Sequence, residues 1–223
     1  KIAPLLNLEL VKKGLVDGGP AWSDAGVICP WTIYSVYNDK RILEKSYPSM
    51  KKFIGFCENR CKDDLTPPDE YHCYGDWLNI DDDTPKDVIF MAYFALSTKL
   101  TAQTAHVLNK QNDSKEYNLL FERVKKVFND EYVDENGQIK GNSQSGYVLA
   151  LAVDLLDEPM RSKAADKLIR KIEQNNWHLS TGFVGTKDLM LVLSKIGRDD
   201  IAYRLLHNDT FPSWGFSIKH GAA

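Results

Sequence analysis

Apolar residues recur every three or four positions along most of this chain, with polar and charged residues between them. This is the spacing of amphipathic helices. Thr84-Pro85 has the composition of a helix start, a capping hydroxyl followed by a proline. The pattern predicts helices over residues 25–37, 41–57, 84–108, 114–129, 144–156, 159–174, 188–196 and 198–207. We therefore expect an all-α protein.

The connections between the predicted helices alternate between short and long. Short turns such as Asn38-Asp39 and Gly197 join helices in pairs, and each pair is a helical hairpin. The longer connections carry polar and aromatic residues, among them Trp22, Trp77, Asn142, His178 and Thr181. This alternation fits a ring or stack of hairpins with one loop-rich face. We find no internal domain boundary.

The first predicted helix differs from the others because it is apolar on most sides. Residues 25–37 read AGVICPWTIYSVY, and no charged residue interrupts them. A helix that is apolar all round is usually a buried helix. We therefore expect residues 25–37 to be buried.

Composition narrows the classes of function. The chain has 223 residues, of which 43% are hydrophobic and 26% charged, as in an ordinary globular protein. The formal net charge of -3 and the pI of about 6.0 argue against a nucleic-acid binder, which usually carries a basic face. No segment has the apolar length of a membrane span. Phosphate-loop, dinucleotide and metalloprotease motifs are absent from the sequence, so we expect no cofactor and no catalytic metal.

The cysteines leave three alternatives open. Cys57, Cys61, His72 and Cys73 could form a structural zinc site, although their spacing matches no established zinc pattern. A disulfide within this segment is a second alternative. Reduced, partly buried thiols are the default interpretation.

Two loops pair an acid with a tryptophan. Asp76 and Trp77 lie in the segment 74–80, and Trp22 and Asp24 lie in the segment 19–25. A carboxylate accepts hydrogen bonds from sugar hydroxyls, and an indole face covers the C–H surface of a sugar ring. Each loop precedes a predicted helix, where binding residues are often found. The alternative is that these tryptophans belong to the core.

A third loop, 178–183, reads HLSTGF and is dense in hydrogen-bonding groups. His178 and Thr181 are its candidate binding residues, and a glycine gives its backbone freedom. An ordinary turn between two helices is the alternative interpretation of this composition.

Taken in chain order, several segments resemble the bacterial and fungal α-L-rhamnosidase family, glycoside hydrolase family 78. The matching runs are PAWSDA (20–25), PWTIY (30–34), YGDWL (74–78), STKL (97–100), YVLAL (147–151), HLSTGFVGT (178–186), AYRLL (202–206) and FPSWGF (211–216). The resemblance extends from about residue 19 to the end. It implies an (α/α)6 barrel, a toroid of six hairpins, of which this chain would supply about four. Residues 1–223 would then be part of one catalytic domain.

The family performs inverting hydrolysis of terminal α-L-rhamnosides, so the implied partner is a rhamnose-containing glycoside or polysaccharide. By position, Trp22 and Trp77 resemble the tryptophans that line the rhamnose pocket. Asp24 and Asp76 would be hydroxyl acceptors or supports of that pocket, and His178 and Thr181 would also bind substrate. Ser23 stands where the family commonly has glycine, which predicts a slightly stiffer loop.

The resemblance places the catalytic residues outside this chain. The family's general acid is expected upstream, and its general base follows a segment similar to the one that ends here at 220–223. An inverting glycosidase needs two carboxyl groups roughly 6.5–9.5 Å apart, one as acid and one to activate water. We expect this chain to supply neither.

Two other functions remain open. A non-catalytic carbohydrate-binding helical toroid would keep the tryptophan and aspartate loops without the acid and the base. A purely structural hairpin scaffold would bury the tryptophans and turn the acids towards solvent. The resemblance favours a periplasmic or secreted location and leaves a cytoplasmic one open, and the oligomeric state is not predicted.

Overall fold

The computed structural model describes residues 19–69 and 73–222, and most of these residues are helical. The helices are α1 (Ala25–Tyr37), α2 (Lys40–Arg60), α3 (Lys86–Val107), α4 (Gln111–Tyr132), α5 (Gln144–Val153), α6 (Met160–Gln174), α7 (Phe183–Lys195), α8 (Asp199–His207) and α9 (Trp214–Lys219). These ranges contain no β-strand, and an isolated bridge joins Val133 and Ile139. The all-α prediction is confirmed.

The largest difference from the predicted helix boundaries is in α7, which begins at Phe183, five residues before the predicted start. Helices α2, α4 and α5 differ from prediction by up to three residues at an end, and the short helix α9 was not predicted. Helix α9 has a local cap, because the Ser213 hydroxyl accepts a hydrogen bond from the backbone N–H of Phe216 at 3.0 Å. The early start of α7 depends on a contact with a distant residue, described below.

The short turns between paired helices each contain a residue in the left-handed backbone conformation. These residues are Asn38 (φ 54°), Asn109 (φ 58°), Asp154 (φ 64°) and Gly197 (φ 75°). Asparagine, aspartate and glycine adopt this conformation most readily, and it reverses the chain directly after a helix. The sequence therefore encodes the hairpin turns locally.

The chain divides into two compact units. The first comprises Lys1–Tyr74 and Phe90–Phe128, and the second comprises Gly75–Ile89 and Asn129–Ala223. The assignment of residues 1–223 to one catalytic domain stays a prediction.

In the first unit, helix α2 buries one stripe of residues. Leu43, Tyr47 and Met50 are buried in a cluster that also contains Val27 of α1 and Ala105 of α3. At the edge of this cluster, Asp113 accepts a hydrogen bond from the Tyr47 hydroxyl at 2.6 Å and one from Lys51 at 3.0 Å. These contacts join α2 to the first turn of α4 and keep the pKa of the Asp113 carboxyl below its ordinary value.

Helix α1 is not the buried helix that its composition predicts. Only Val27 and Pro30 of this helix are buried, whereas Val36 is 67% exposed and Tyr37 is 75% exposed. Within the described part of the first unit, α1 packs closely against α2, which covers one of its sides. An apolar sequence therefore did not guarantee burial, because burial needs a neighbour on every side.

In the second unit, helix α5 is the central element. All of its residues except Ala152 are buried, and it packs against both α6 and α7. Helix α6 buries only the stripe formed by Ala164, Leu168 and Ile172, as expected for an amphipathic helix with one solvated face. Helix α5 therefore gives the second unit a rigid base, and the loops described next are attached to it.

Candidate functional site

The Asp76 loop (residues 75–82) begins with backbone that suits a tight turn. Gly75 has φ 67° and Leu78 has φ 62°. The carbonyl oxygen of Asp76 accepts hydrogen bonds from the backbone and the side-chain amide of Asn79, at 3.1 and 3.0 Å. This turn places the carboxylate of Asp76 and the ring of Trp77 on different sides, since Asp76 is 4% exposed and Trp77 is 55% exposed.

The carboxylate of Asp76 caps helix α7. Its Oδ2 atom accepts hydrogen bonds from the Ser145 hydroxyl at 2.5 Å and from the Gly182 N–H at 2.8 Å. Its Oδ1 atom accepts from the Val184 N–H at 3.0 Å. The first N–H groups of a helix have no partner within the helix, and a negative charge there is favourable. Asp76 therefore supplies the cap that Gly182, which has no side chain, cannot supply.

Gly182 is required by space rather than by backbone angle. A Cβ atom at this position would lie 2.6 Å from the carbonyl oxygen of Asp76 and would also overlap the carbonyl oxygen of Trp77. The next residue, Phe183, donates its N–H to the Trp77 carbonyl at 2.9 Å. The start of α7 and the Asp76 loop are therefore joined backbone to backbone.

Two exposed aromatic rings lie above this junction. The rings of Trp77 and Phe183 are 5.5 Å apart with an interplanar angle of 38°. Phe183 is 56% exposed, nearly the same as Trp77. Exposed aromatic rings on a rigid support are suited to contact the C–H face of a sugar.

His178 and Thr181 make contacts within the protein. Thr181 is 3% exposed, and its hydroxyl lies 2.8 Å from that of Thr186. The Nε2 atom of half-buried His178 lies 2.8 Å from the Thr210 hydroxyl. Its Nδ1 atom lies 3.2 Å from the carbonyl oxygen of Asn175, which can only accept, so Nδ1 carries the hydrogen of this bond. These contacts hold His178 and Thr181 within the loop, and their predicted role in substrate binding stays a prediction.

A polar network beside this loop was not predicted from the sequence. Asp82 accepts hydrogen bonds from the Gln144 N–H at 2.8 Å, the Ser180 hydroxyl at 2.7 Å and Lys171 at 2.9 Å. Gln144 in turn donates its side-chain amide to the His178 carbonyl at 3.1 Å. An open cavity of about 230 Å³ adjoins the network. The run of three aspartates at 81–83 was the available signal, but its partners lie far away in the sequence.

The Asp24 loop (residues 19–24) in the first unit has a related arrangement. Asp24 is 2% exposed, and its carboxylate accepts hydrogen bonds from the Ser97 hydroxyl and the Ala21 N–H, both at 2.5 Å. The ring of half-buried Trp22 lies 5.2 Å from that of Tyr74, edge to face at 71°. Tyr74 is 40% exposed.

The second unit thus brings Asp76, Trp77 and Thr181 together, with His178 in the adjoining turn. Trp22 and Asp24 lie together in the first unit. Both aspartates are buried and hydrogen bonded to the protein, which fits the predicted role of pocket support. The role of hydroxyl acceptor stays a prediction for both.

The cysteine alternatives are tested only in part. Across residues 19–69 and 73–222, no three metal-binding side chains of His, Cys, Asp or Glu come together, while His72 lies outside the described residues. Cys57 and Cys61 carry free thiols in the structure. Burial raises the pKa of the Cys61 thiol to about 12 and that of Cys57 further. In the same ranges, no helix has the length and apolarity needed to cross a bilayer.

Comparison with known proteins identifies close relatives. A family model described as the bacterial alpha-L-rhamnosidase 6 hairpin glycosidase domain matches residues 2–223. The alpha-L-rhamnosidase of Streptomyces avermitilis is 46% identical over 208 residues, which cover 93% of this chain and 20% of the relative. An alpha-L-rhamnosidase of Formosa agariphila is 38% identical over 228 residues, covering 98% of this chain and 24% of the relative. The chain therefore spans a fifth to a quarter of the length of these relatives.

Solved structures agree with these matches. The crystal structure of the Streptomyces avermitilis enzyme complexed with L-rhamnose matches 93% of this chain and 20% of that one, with a TM-score of 0.88. The native enzyme of Aspergillus terreus, 29% identical, matches 91% of this chain and 24% of that one, with a TM-score of 0.84. The chain thus has the fold class of the six-hairpin toroid domain.

Proposed function

This chain belongs to the family of bacterial α-L-rhamnosidase six-hairpin glycosidase domains, and from that premise we propose that it forms the sugar-binding part of a rhamnoside-cleaving hydrolase. The substrate is a glycoside or polysaccharide with a terminal α-L-rhamnose, and the reaction is hydrolysis with inversion. The observation that carries this proposal is the exposed Trp77 ring, held on a buried and fully hydrogen-bonded base within a chain of this family.

The chemistry of the sugar supports this assignment. Rhamnose is a 6-deoxy sugar, with a methyl group where most hexoses carry a hydroxymethyl group. Its site therefore needs an apolar wall beside groups that bind hydroxyls. Trp77 is the proposed wall of a site in the second unit, and the rhamnose-lining role of Trp22 stays a prediction. A relative that is 46% identical to this chain was solved in complex with L-rhamnose.

Asp24 and Asp76 are proposed supports and not catalytic groups. A general acid or base must reach the reacting atoms with an available carboxyl oxygen. In Asp76 both oxygens accept hydrogen bonds from the protein, and the side chain is 4% exposed. Asp24 is 2% exposed, and both of its oxygens are likewise used. Neither aspartate is therefore proposed as the acid or the base of the reaction.

The test is hydrolysis of 4-nitrophenyl α-L-rhamnoside by the full-length protein. We expect turnover, with nuclear magnetic resonance showing that the first sugar released is the β-anomer. The matched control substrate is the corresponding β-D-glucoside, which should not be cleaved. Rhamnose binding without turnover would instead establish the non-catalytic carbohydrate-binding function. If the full-length protein neither binds nor hydrolyses the rhamnoside, the proposal is wrong.

A further inference from the structure

We propose that Phe183 is a second sugar-contacting residue, that it selects the 6-deoxy group of the sugar, and that Asp76 and Ser145 are its positioning residues. This inference rests on the proposed function, because it assigns a residue and a specificity to the same site. All of these residues lie in the second unit.

The first step is the exposure of Phe183. It is the first residue of α7, where a side chain can turn either towards the core or outwards. It is 56% exposed, whereas Val184 beside it is 3% exposed. The neighbouring Leu78 is 64% exposed and Trp77 is 55% exposed. Large apolar side chains that cluster at the surface mark binding sites more often than single ones do.

The second step is the backbone junction that carries the two rings. Three successive N–H groups at the start of α7 are held by two successive residues of the Asp76 loop. Gly182 and Val184 donate to the Asp76 carboxylate, at 2.8 and 3.0 Å, and Phe183 donates to the Trp77 carbonyl at 2.9 Å. These bonds hold the backbone of Trp77 and Phe183 together, so the two side chains start from neighbouring positions.

The third step is the base beneath the junction. The hydroxyl of Ser145, which is 1% exposed, donates to Asp76 at 2.5 Å from the almost wholly buried helix α5. Gly185 shows how closely α7 approaches α5, since a Cβ atom there would overlap the Ser145 side chain. The carboxylate of Asp76 is thus held from both sides, and a group fixed in this way can position another.

The fourth step is the shape of the surface. Two tilted rings with centroids 5.5 Å apart lie against each other and present one apolar surface. A methyl group and its adjoining C–H groups can pack on this surface. The same surface disfavours a hydroxymethyl group, because a hydroxyl placed against the rings would lose hydrogen bonds to water. The geometry therefore discriminates L-rhamnose from L-mannose, its 6-hydroxy counterpart.

The experiment compares the binding of L-rhamnose and L-mannose to full-length variants by calorimetric titration. Phe183→Ala should weaken L-rhamnose binding about tenfold, or about 1.4 kcal/mol, and should reduce the preference over L-mannose by a similar factor. Phe183→Leu should retain most of both, because leucine still offers an apolar surface. Leu191→Ala is the matched control, since Leu191 lies on the same helix and is 69% exposed. It should change neither affinity nor preference.

The positioning role is tested by Asp76→Asn and Ser145→Ala. Each should reduce the preference for L-rhamnose over L-mannose as Phe183→Ala does, and a merely structural role would lower stability and leave that preference unchanged. If a variant does not fold, Phe183→Leu and Phe183→Ala still decide the assignment of Phe183.

Three outcomes separate the two proposals. Loss of binding in Trp77→Ala together with unchanged affinity and preference in Phe183→Ala would overturn this inference and leave the proposed function standing. A full-length protein that binds no L-rhamnose would overturn the proposed function itself. Reduced preference in Phe183→Ala and in Asp76→Asn, with Leu191→Ala unchanged, would support the whole inference.

Discussion

The Asp24 loop and the Asp76 loop contain the same residue types and use them differently. In each loop a buried aspartate accepts a hydrogen bond of 2.5 Å from a serine on a neighbouring helix, Ser97 or Ser145. Asp24 then binds the N–H of Ala21, three residues away in its own loop. Asp76 binds N–H groups of Gly182 and Val184, more than 100 residues further along the chain. Besides binding a serine, Asp24 therefore closes its own loop, and Asp76 caps a distant helix.

The tryptophans of the two loops differ in the same way. Trp22 is half-buried and packs edge to face against Tyr74. Trp77 is 55% exposed and is paired with the equally exposed Phe183. The comparison shows that a Trp-Asp pair in a sequence does not specify its role. The role depends on which distant backbone the carboxylate holds and on how much ring surface this leaves in solvent.

The largest expected effect comes from the two carboxylates. Asp76→Ala should lower the free energy of unfolding by about 3–5 kcal/mol, because it leaves Ser145 and two helix N–H groups without their acceptor. Asp24→Ala should lower it by about 2 kcal/mol, from the loss of an acceptor for the Ala21 N–H and the Ser97 hydroxyl. Urea unfolding followed by circular dichroism measures both. The exposed Asp209, paired with Lys219, is the control and should matter little. A larger loss for Asp24→Ala would reverse the comparison.

The tryptophans should separate binding from stability. Trp77→Ala should weaken rhamnose binding roughly tenfold to a hundredfold, from the loss of a contact worth about 1.5–3 kcal/mol. It should change the unfolding midpoint little, because the ring is more than half exposed. Trp22→Ala should lower the midpoint more. Calorimetric titration and thermal unfolding measure the two effects, with Phe56→Ala on α2 as an exposed aromatic control. Equal unfolding midpoints for Trp77→Ala and Trp22→Ala would show that the two tryptophans do not differ in their contribution to stability.

Two glycines of the second unit test whether lack of space or an unfavourable backbone angle makes replacement by alanine more costly. Gly182→Ala should lower the free energy of unfolding by about 2–3 kcal/mol, because the added Cβ atom would overlap backbone oxygens, which cannot move aside as a flexible side chain can. Gly75→Ala should cost about 1 kcal/mol, since its φ of 67° is unfavourable but the surrounding space is open. Chemical unfolding measures both. Gly182→Ala should also weaken rhamnose binding, and an unchanged affinity would show that Trp77 does not depend on this junction.

The two serine variants should show small effects of similar size. Ser97→Ala and Ser145→Ala each remove one hydrogen bond to a buried carboxylate, which should cost about 1–2 kcal/mol. Their stability losses should therefore be similar, whereas only Ser145→Ala should alter the selectivity of binding. Unfolding measurements and titrations with L-rhamnose and L-mannose test this. A selectivity change in Ser97→Ala would show that the two loops share one role.

Sequence alone determined what depends on neighbouring residues. The spacing of apolar residues located the helices, and the asparagine, aspartate and glycine turns paired them into hairpins. The ordered motifs identified the family, and the two Trp-Asp loops were identified from their residue types. These features follow from local propensities and helix periodicity, which act over a few residues at a time.

Tertiary structure decided what depends on distant partners. Helix α7 begins at Phe183 because Asp76 caps it, and no residue close to Gly182 in the sequence predicts that cap. Ser145 is one polar residue in the apolar sequence of α5, and its role appears only in the fold, where it donates a hydrogen bond to Asp76. Helix α1 has the composition of a buried helix, yet its exposure was decided by its neighbours. Hydrogen bonds and burial between remote segments produce no local sequence pattern, because the two partners of each contact lie far apart in the chain.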